Sequence, residues 1–232
     1  MSLTTIAGRL RRAITASSSR TTQWPDSDVS ATSARHSRLK SSTTASTRNR
    51  GPSVSASLTK ILVSRNWLGD EGATVLCDAL RESKVTKVQE LDLSSNDIGP
   101  EGAKAVAAMA AVVASVTKVL VGQNRLGDAG ATILCDALRE NKMANVQELS
   151  LQNNNIGPVG AIAIAKLCSV SSLTQLNLSH NQICGVNYYD QGTYAAEGII
   201  AIADALKVNT SITSLDLSSN EFDSDGAKAL AP

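Results

Sequence analysis

The chain has 232 residues, 42% of them hydrophobic, and a formal net charge of +1, which is enough apolar material for a sizeable core. That balance hides an asymmetry: residues 1–50 hold nine Lys/Arg against two acids, a charge of +7, and residues 51–232 hold thirteen against nineteen, a charge of −6. The acidic part has no basic stripe and makes a poor nucleic-acid binder, and four cysteines with two distant histidines, His36 and His180, form neither a disulfide framework nor a zinc site.

Residues 1–56 come first and stand apart. Ser and Thr supply 20 of the first 50 positions and apolar residues are sparse, so this stretch is expected to be a disordered basic tail. Leu3, Ile6, Leu10 and Ile14 form a helical stripe beside Arg9, Arg11 and Arg12, in the manner of a mitochondrial or plastid transit peptide. The leading reading is nevertheless a plain basic tail on a cytoplasmic protein, with the transit peptide over residues 1–20 as the alternative. Arg35-His36-Ser37 also places a hydroxyl near an arginine, as at phosphorylation sites. No apolar secretory core opens the chain, and the uncharged run Ala105–Thr117 is too short to span a bilayer.

From residue 57 to 232 one unit recurs. Its asparagines are Asn66, Asn96, Asn124, Asn154, Asn181 and Asn220, separated by 30, 28, 30, 27 and 39 residues, so the expected architecture is a solenoid of six repeats. Each repeat opens on two alternating apolar residues, such as Leu91/Leu93 and Leu149/Leu151, which is the period of a strand with one buried face. The asparagine follows where the chain turns. Its carboxamide offers two donors and an acceptor, so stacked turns are expected to form a ladder in which each asparagine pairs backbone groups of its own coil and the next. Paired glycines then precede a helix whose inward stripe in the first repeat is Ala73, Leu76, Cys77 and Leu80. Pro100 and Pro158 sit at the first helical residue, and Asp70 and Asp128 hold the same place in their repeats, where a carboxylate suits the helix dipole.

The pattern carried by Leu91-Asp92-Leu93-Ser94-Ser95-Asn96-Asp97-Ile98-Gly99-Pro100-Glu101-Gly102-Ala103 resembles the ribonuclease-inhibitor type of leucine-rich repeat. The same repeat occurs in nucleotide-binding leucine-rich-repeat receptors and in the GTPase-activating protein of the Ran cycle. The resemblance implies an α/β fold, a right-handed horseshoe with parallel strands on the concave side and helices on the convex side. It covers the region from residue 57 to the end and is specific for fold rather than partner.

The repeats are not all alike. Leu68–Lys84 and Leu126–Lys142 match at 14 of 17 positions, and repeats two and four share Val-Gln-Glu-Leu and Asn-x-Ile-Gly-Pro at the same offset. The duplicated unit is thus a pair of coils. Repeat five carries eleven extra residues, Gly185–Ala195, which hold all three tyrosines of the chain: Tyr188, Tyr189 and Tyr194. The insertion is expected to protrude at one rim, either as a tolerated loop packed on the next coil or as a contact surface. Repeat six ends inside its helix, and truncation is the expected reason.

Outward strand positions line the concave face. Lys60, Glu90, Lys118 and Glu148 alternate in sign and are expected to pair along the sheet. The candidate partner-binding residues are Asp92, Gln123, Asn153, Asn177, His180 and Asp216 together with the three tyrosines. No nucleophile has a base and an orienting group beside it, and the glycines are tied to helix starts rather than to a phosphate loop. The reading is a non-catalytic scaffold for a protein partner, with no cofactor or metal, no nucleic acid, no membrane and no small-molecule substrate. A GTPase-activating regulator and the repeat fragment of a larger receptor stand as alternatives.

Overall fold

A computed structural model describes residues 58–83, 87–141, 145–187, 189 and 191–231, so the expected tail over 1–56 lies outside the described residues. The elements alternate without exception: β1 (Lys60–Leu62), α1 (Gly69–Glu82), β2 (Glu90–Asp92), α2 (Pro100–Ala110), β3 (Lys118–Leu120), α3 (Gly127–Glu140), β4 (Glu148–Ser150), α4 (Pro158–Cys168), β5 (Gln175–Asn177), α5 (Glu197–Val208), β6 (Ser214–Asp216) and α6 (Ser224–Leu230). The strands form one open parallel sheet in chain order, in register so that Leu91 faces Val119, Val119 faces Leu149 and Leu149 faces Leu176. Each helix packs on the helices before and after it, which is the expected horseshoe-type solenoid with strands on one side and helices on the other.

Its interior is one continuous file of apolar side chains. Leu91, Leu93, Val119, Leu149, Leu151 and Leu178 come in from the strands, and Leu76, Val106, Leu134, Ile164 and Ile202 from the helices. Interior coils bury these fully. In the first and last coils Ile61, Val63, Leu215, Leu217 and Phe222 remain partly exposed, because each has a neighbour on one side only. Cys77, Cys135, Cys168 and Cys184 are buried and unpaired. Burial pushes the Cys77 thiol up to about 12 and Cys168 to about 11, and raises the other two as well, so all four act as small apolar side chains.

The six asparagines stand in file. Asn124 is representative: its Nδ2 donates to the carbonyls of Val121 (2.9 Å) and Gly122 (3.2 Å) in its own coil and of Leu93 (3.1 Å) in the coil before. Its Oδ1 accepts the amides of Asn96 and Ile98, each at 3.0 Å. The neighbour served is the preceding coil throughout, not the next one as expected, because the stacking offset brings each carboxamide against the turn before it, so the ladder ties each turn backward. One side chain thus serves five backbone groups, and the Asn96 and Ile98 amides have no other acceptor among the described contacts, where each would cost about 1–3 kcal/mol if buried unpaired.

Helix ends reveal a division of labour that the sequence reading placed wrongly. α1 and α3 begin at Gly69 and Gly127, so Asp70 and Asp128 are second helical residues, and their carboxylates serve the next helix rather than their own. Asp70 Oδ1 accepts the amides of Gly99 (2.7 Å) and Gly102 (2.8 Å) at the start of α2. Asp128 Oδ1 does the same for Gly157 (2.7 Å) and Gly160 (2.8 Å) at the start of α4. The approach needs glycine: a Cβ on Gly102 would lie 2.7 Å from Asp70 Oδ1 and 2.5 Å from Ile98 Cγ2. The C-terminal ends of these helices are met by the following coil, where the Asn141 amide donates to Ala111 O and the Asn209 amide to Cys168 O at 2.6 Å. α2 and α4, eleven residues each, are therefore capped at both ends by their fourteen- and twelve-residue neighbours α1, α3 and α5. The duplicated pair of coils is also a capping unit.

Candidate functional site

Where each strand ends, the chain must swing from the sheet into the turn. The residue just before the ladder asparagine takes a left-handed conformation in all six coils: Arg65 (φ 61°), Ser95 (57°), Gln123 (55°), Asn153 (51°), His180 (55°) and Ser219 (54°). Trp67, Asp97, Asn155 and Glu221, just after it, do the same. Glycine holds such a conformation at no steric cost, whereas other L-residues pay roughly 1–2 kcal/mol. None of these ten positions is glycine. The turns thus present a double file of side chains along one rim.

On coils one to four this rim forms a groove lined by Arg65, Trp67, Ser95, Gln123, Arg125 and Asn153, with Asp97, Asn124 and Asn155 completing it. Its volume is about 600 Å³, and it is open along one side. The Trp67 indole is 78% exposed. Arg125 Nε meets Asp97 at 2.6 Å, and the Ser95 hydroxyl donates to Gln123 Oε1 at 2.5 Å, so the second and third coils are stitched across the groove floor. Arg65 has no ion-pair partner among the described residues.

The concave face is largely self-satisfied. Lys60 pairs with Glu90 and Lys118 with Glu148, each at 2.7 Å, as the alternation predicts. Asp92, Asn177 and Asp216 end their strands, and each Oδ1 accepts the backbone amide two residues on, at Ser94 (2.9 Å), Ser179 (2.9 Å) and Ser218 (3.0 Å). These three candidates therefore hold the strand-to-turn corner. The Ser218 hydroxyl and amide, donating to Asp216, pull its carboxyl below the ordinary carboxylate value, with His180 adding a smaller effect in the same direction.

Insertion residues rise from the same rim at coil five. Their neck is closed by Gly185 N–H to Gln182 O (2.7 Å) and Ala195 N–H to Cys184 O (2.8 Å), and Val186 and Gly192 form an antiparallel bridge. Asn187 Oδ1 accepts the amides of Tyr189 (2.9 Å) and Gln191 (3.0 Å) and shapes the tip. Tyr188 lies outside the described residues. Tyr189 is 77% exposed. Tyr194 instead turns toward coil six, where its hydroxyl donates to Asp223 Oδ1 at 2.6 Å. Asp223 is the N-cap of α6 and also accepts the amides of Asp225 (2.8 Å) and Gly226 (3.2 Å). The shared proton pushes the Tyr194 phenol up to about 12 and holds Asp223 below its usual range.

So the structure brings Gln123, Asn153 and His180 onto one rim with the Tyr189 tip and sets Asp92, Asn177 and Asp216 just below it on the concave side. Trp67 was missed by the sequence reading. Its column otherwise reads Asp97, Arg125, Asn155, Gln182 and Glu221, all polar, and one tryptophan among them is the signal that could have found it. Among the described residues no three His, Cys, Asp or Glu side chains converge as a metal site. No helix of the described residues is long and apolar enough to cross a membrane.

A family model described as "Leucine Rich repeat" matches residues 54–77, 86–107, 142–165, 171–184 and 208–231. The chain is 28% identical over 196 residues to NACHT, LRR and PYD domains-containing protein 3 of Homo sapiens, spanning 60% of this chain and 18% of that one. It is 28% identical over 199 residues to NACHT, LRR and PYD domains-containing protein 2 of Homo sapiens (76% and 18%) and 26% identical over 194 residues to the ribonuclease inhibitor of Mus musculus (75% and 42%). The match thus spans less than half the length of each of these relatives. Among solved structures, Leiomodin-1 Actin-Binding Site 2 (ABS2) is 18% identical with a TM-score of 0.44, over 74% of this chain and 78% of that one.

Proposed function

From the premise that this chain is built of leucine-rich repeats homologous to those of ribonuclease inhibitor and of the NACHT, LRR and PYD proteins, we propose that it is a non-catalytic scaffold that binds a protein partner. The partner lies along the rim and upper concave face, against Gln123, Asn153, Asn177 and His180, and against the tip of the 185–195 insertion. One observation carries this reading: ten side chains stand on left-handed backbone along a single rim where glycine would relax the turn. Strain repeated over six coils keeps side chains facing outward at regular spacing, which a partner can read and a core cannot use. A catalytic reading has less to stand on, because the buried thiols hold their protons and His180 faces an aspartate already occupied by Ser218.

The test is crosslinking capture in the source cell, comparing the full chain with a variant carrying Asn153→Ala, His180→Ala and Tyr189→Ala. The variant leaves the asparagine ladder untouched. A protein recovered with the parent chain and depleted at least fivefold with the variant supports the proposal. Equal recovery of every protein by both chains overturns it.

A further inference from the structure

We propose that the rim groove on coils one to four takes a short extended peptide bearing a side-chain carboxylate, an inference that rests on the protein-binding reading above and names the partner's chemistry. Arg65 supplies the charge. Its guanidinium stands at the first coil with no ion pair among the described residues, whereas Arg125, the other cation of the groove, is held by Asp97 at 2.6 Å. A planar guanidinium without an ion pair among the described residues is suited to donating two parallel hydrogen bonds to a carboxylate. Trp67 stands beside it, 78% exposed, and offers a broad apolar face to a proline or aliphatic residue next to the acid.

Further along the groove the side chains are carboxamides: Gln123, Asn153 and Asn155. A carboxamide donates and accepts at once, as a peptide group does, so it reads backbone rather than side chains. Neighbouring coils are about 4.8 Å apart at the sheet, so four coils span about 14 Å, the length of about four extended residues at 3.3 Å each. One acid at the Arg65 end, an apolar residue on the indole and two or three residues of backbone over the amides fill that length.

Charge separates this occupant from others. A nucleic acid would also stack on Trp67 and meet Arg65, but it brings one phosphate per nucleotide, and with Arg125 held by Asp97 the groove has one cation to set against them on a region that carries −6, whereas a peptide with a single acid needs only that one.

The experiment uses the full chain and fluorescence anisotropy with two labelled hexapeptides, Gly-Ala-Pro-Asp-Leu-Gly and the same sequence with Asn for Asp. The acidic peptide is expected to bind at least tenfold more tightly than its amide twin. Arg65→Gln and Trp67→Ala should each weaken it tenfold or more, Arg65→Lys should retain part of the binding, and Lys207→Ala on the convex side should change nothing. Unchanged urea unfolding of the variants keeps loss of binding distinct from loss of fold. Equal binding of the two peptides, absence of binding to either, tighter binding of a ten-nucleotide thymidine strand, or self-association of the chain through this groove overturns the inference. A cellular partner depleted by the triple rim variant yet indifferent to Arg65→Gln overturns it too, while leaving the scaffold reading in place.

Discussion

Coils one to four and coils five to six face one physical problem, the unpaired amides at a helix start, and meet it differently. In the first group a carboxylate is lent forward: Asp70 to α2 and Asp128 to α4. In the second, Ala196 stands where that aspartate would be, and α6 caps itself with Asp223, which a tyrosine from the insertion then steadies. The lesson is that the insertion is tied into the fold. One of its tyrosines replaces a missing link between coils, and its tip remains outside.

The largest test of the contrast is the ladder. Asn124→Ala leaves the Asn96 and Ile98 amides without an acceptor among the described contacts and should cost about 4 kcal/mol in urea unfolding. Asn220→Ala, in the last coil, should cost less, because its Oδ1 accepts only the Ile183 amide, at 3.4 Å, among the described contacts. Equal losses would show that the end coil is as tightly held as the middle.

Next comes the lent carboxylate. Asp70→Ala removes a charge-assisted pair of hydrogen bonds from the start of α2 and should cost about 2 kcal/mol. Asp223→Ala should lower the melting temperature less, because α6 is a seven-residue end helix. The opposite ranking would mean that coil six anchors the solenoid.

Smaller still is the rim. Gln123→Gly relieves a left-handed side chain and should shift stability upward by at most about 1 kcal/mol, since glycine also gains freedom in the unfolded chain. Partner binding should fall at the same time. A variant that keeps both its partner and its gain in stability would show that the strain serves the turn alone.

The smallest effect is in pH. Asp223 is held below its usual value, so its contribution is present above the ordinary carboxylate range and fades as the pH falls through the lowered value. Tyr194 is raised to about 12, so its contribution is complete below pH 10 and fades as the pH climbs through 12. Tyr194→Phe should therefore melt lower than the parent chain at pH 7, and the gap should close between pH 10 and 12. A gap that persists at pH 12 would assign the loss to packing rather than to the hydrogen bond.

Much of this was legible in the chain. The ladder asparagines, the apolar files, the Lys60–Glu90 and Lys118–Glu148 pairs and the protruding insertion follow from period, alternation and length, because each is a local pattern repeated in register. The destination of Asp70 was not legible. A carboxylate at the second helical residue looks like a partner for its own dipole, and only the stacking offset brings Gly99 and Gly102 nearer to it. The groove was hidden for a similar reason: Arg65, Trp67, Gln123 and Asn153 are spread over 89 positions and become neighbours only when the coils lie side by side.

The sequence by itself determined that six strand–turn–helix units stack, since a period near thirty residues with one apolar face per element leaves no other way to bury that face. Tertiary structure decided which coil each polar side chain serves. An asparagine or aspartate carries its hydrogen-bonding capacity wherever it stands, but the backbone groups within its reach belong to the adjacent coil, and that adjacency exists only after the coils have packed.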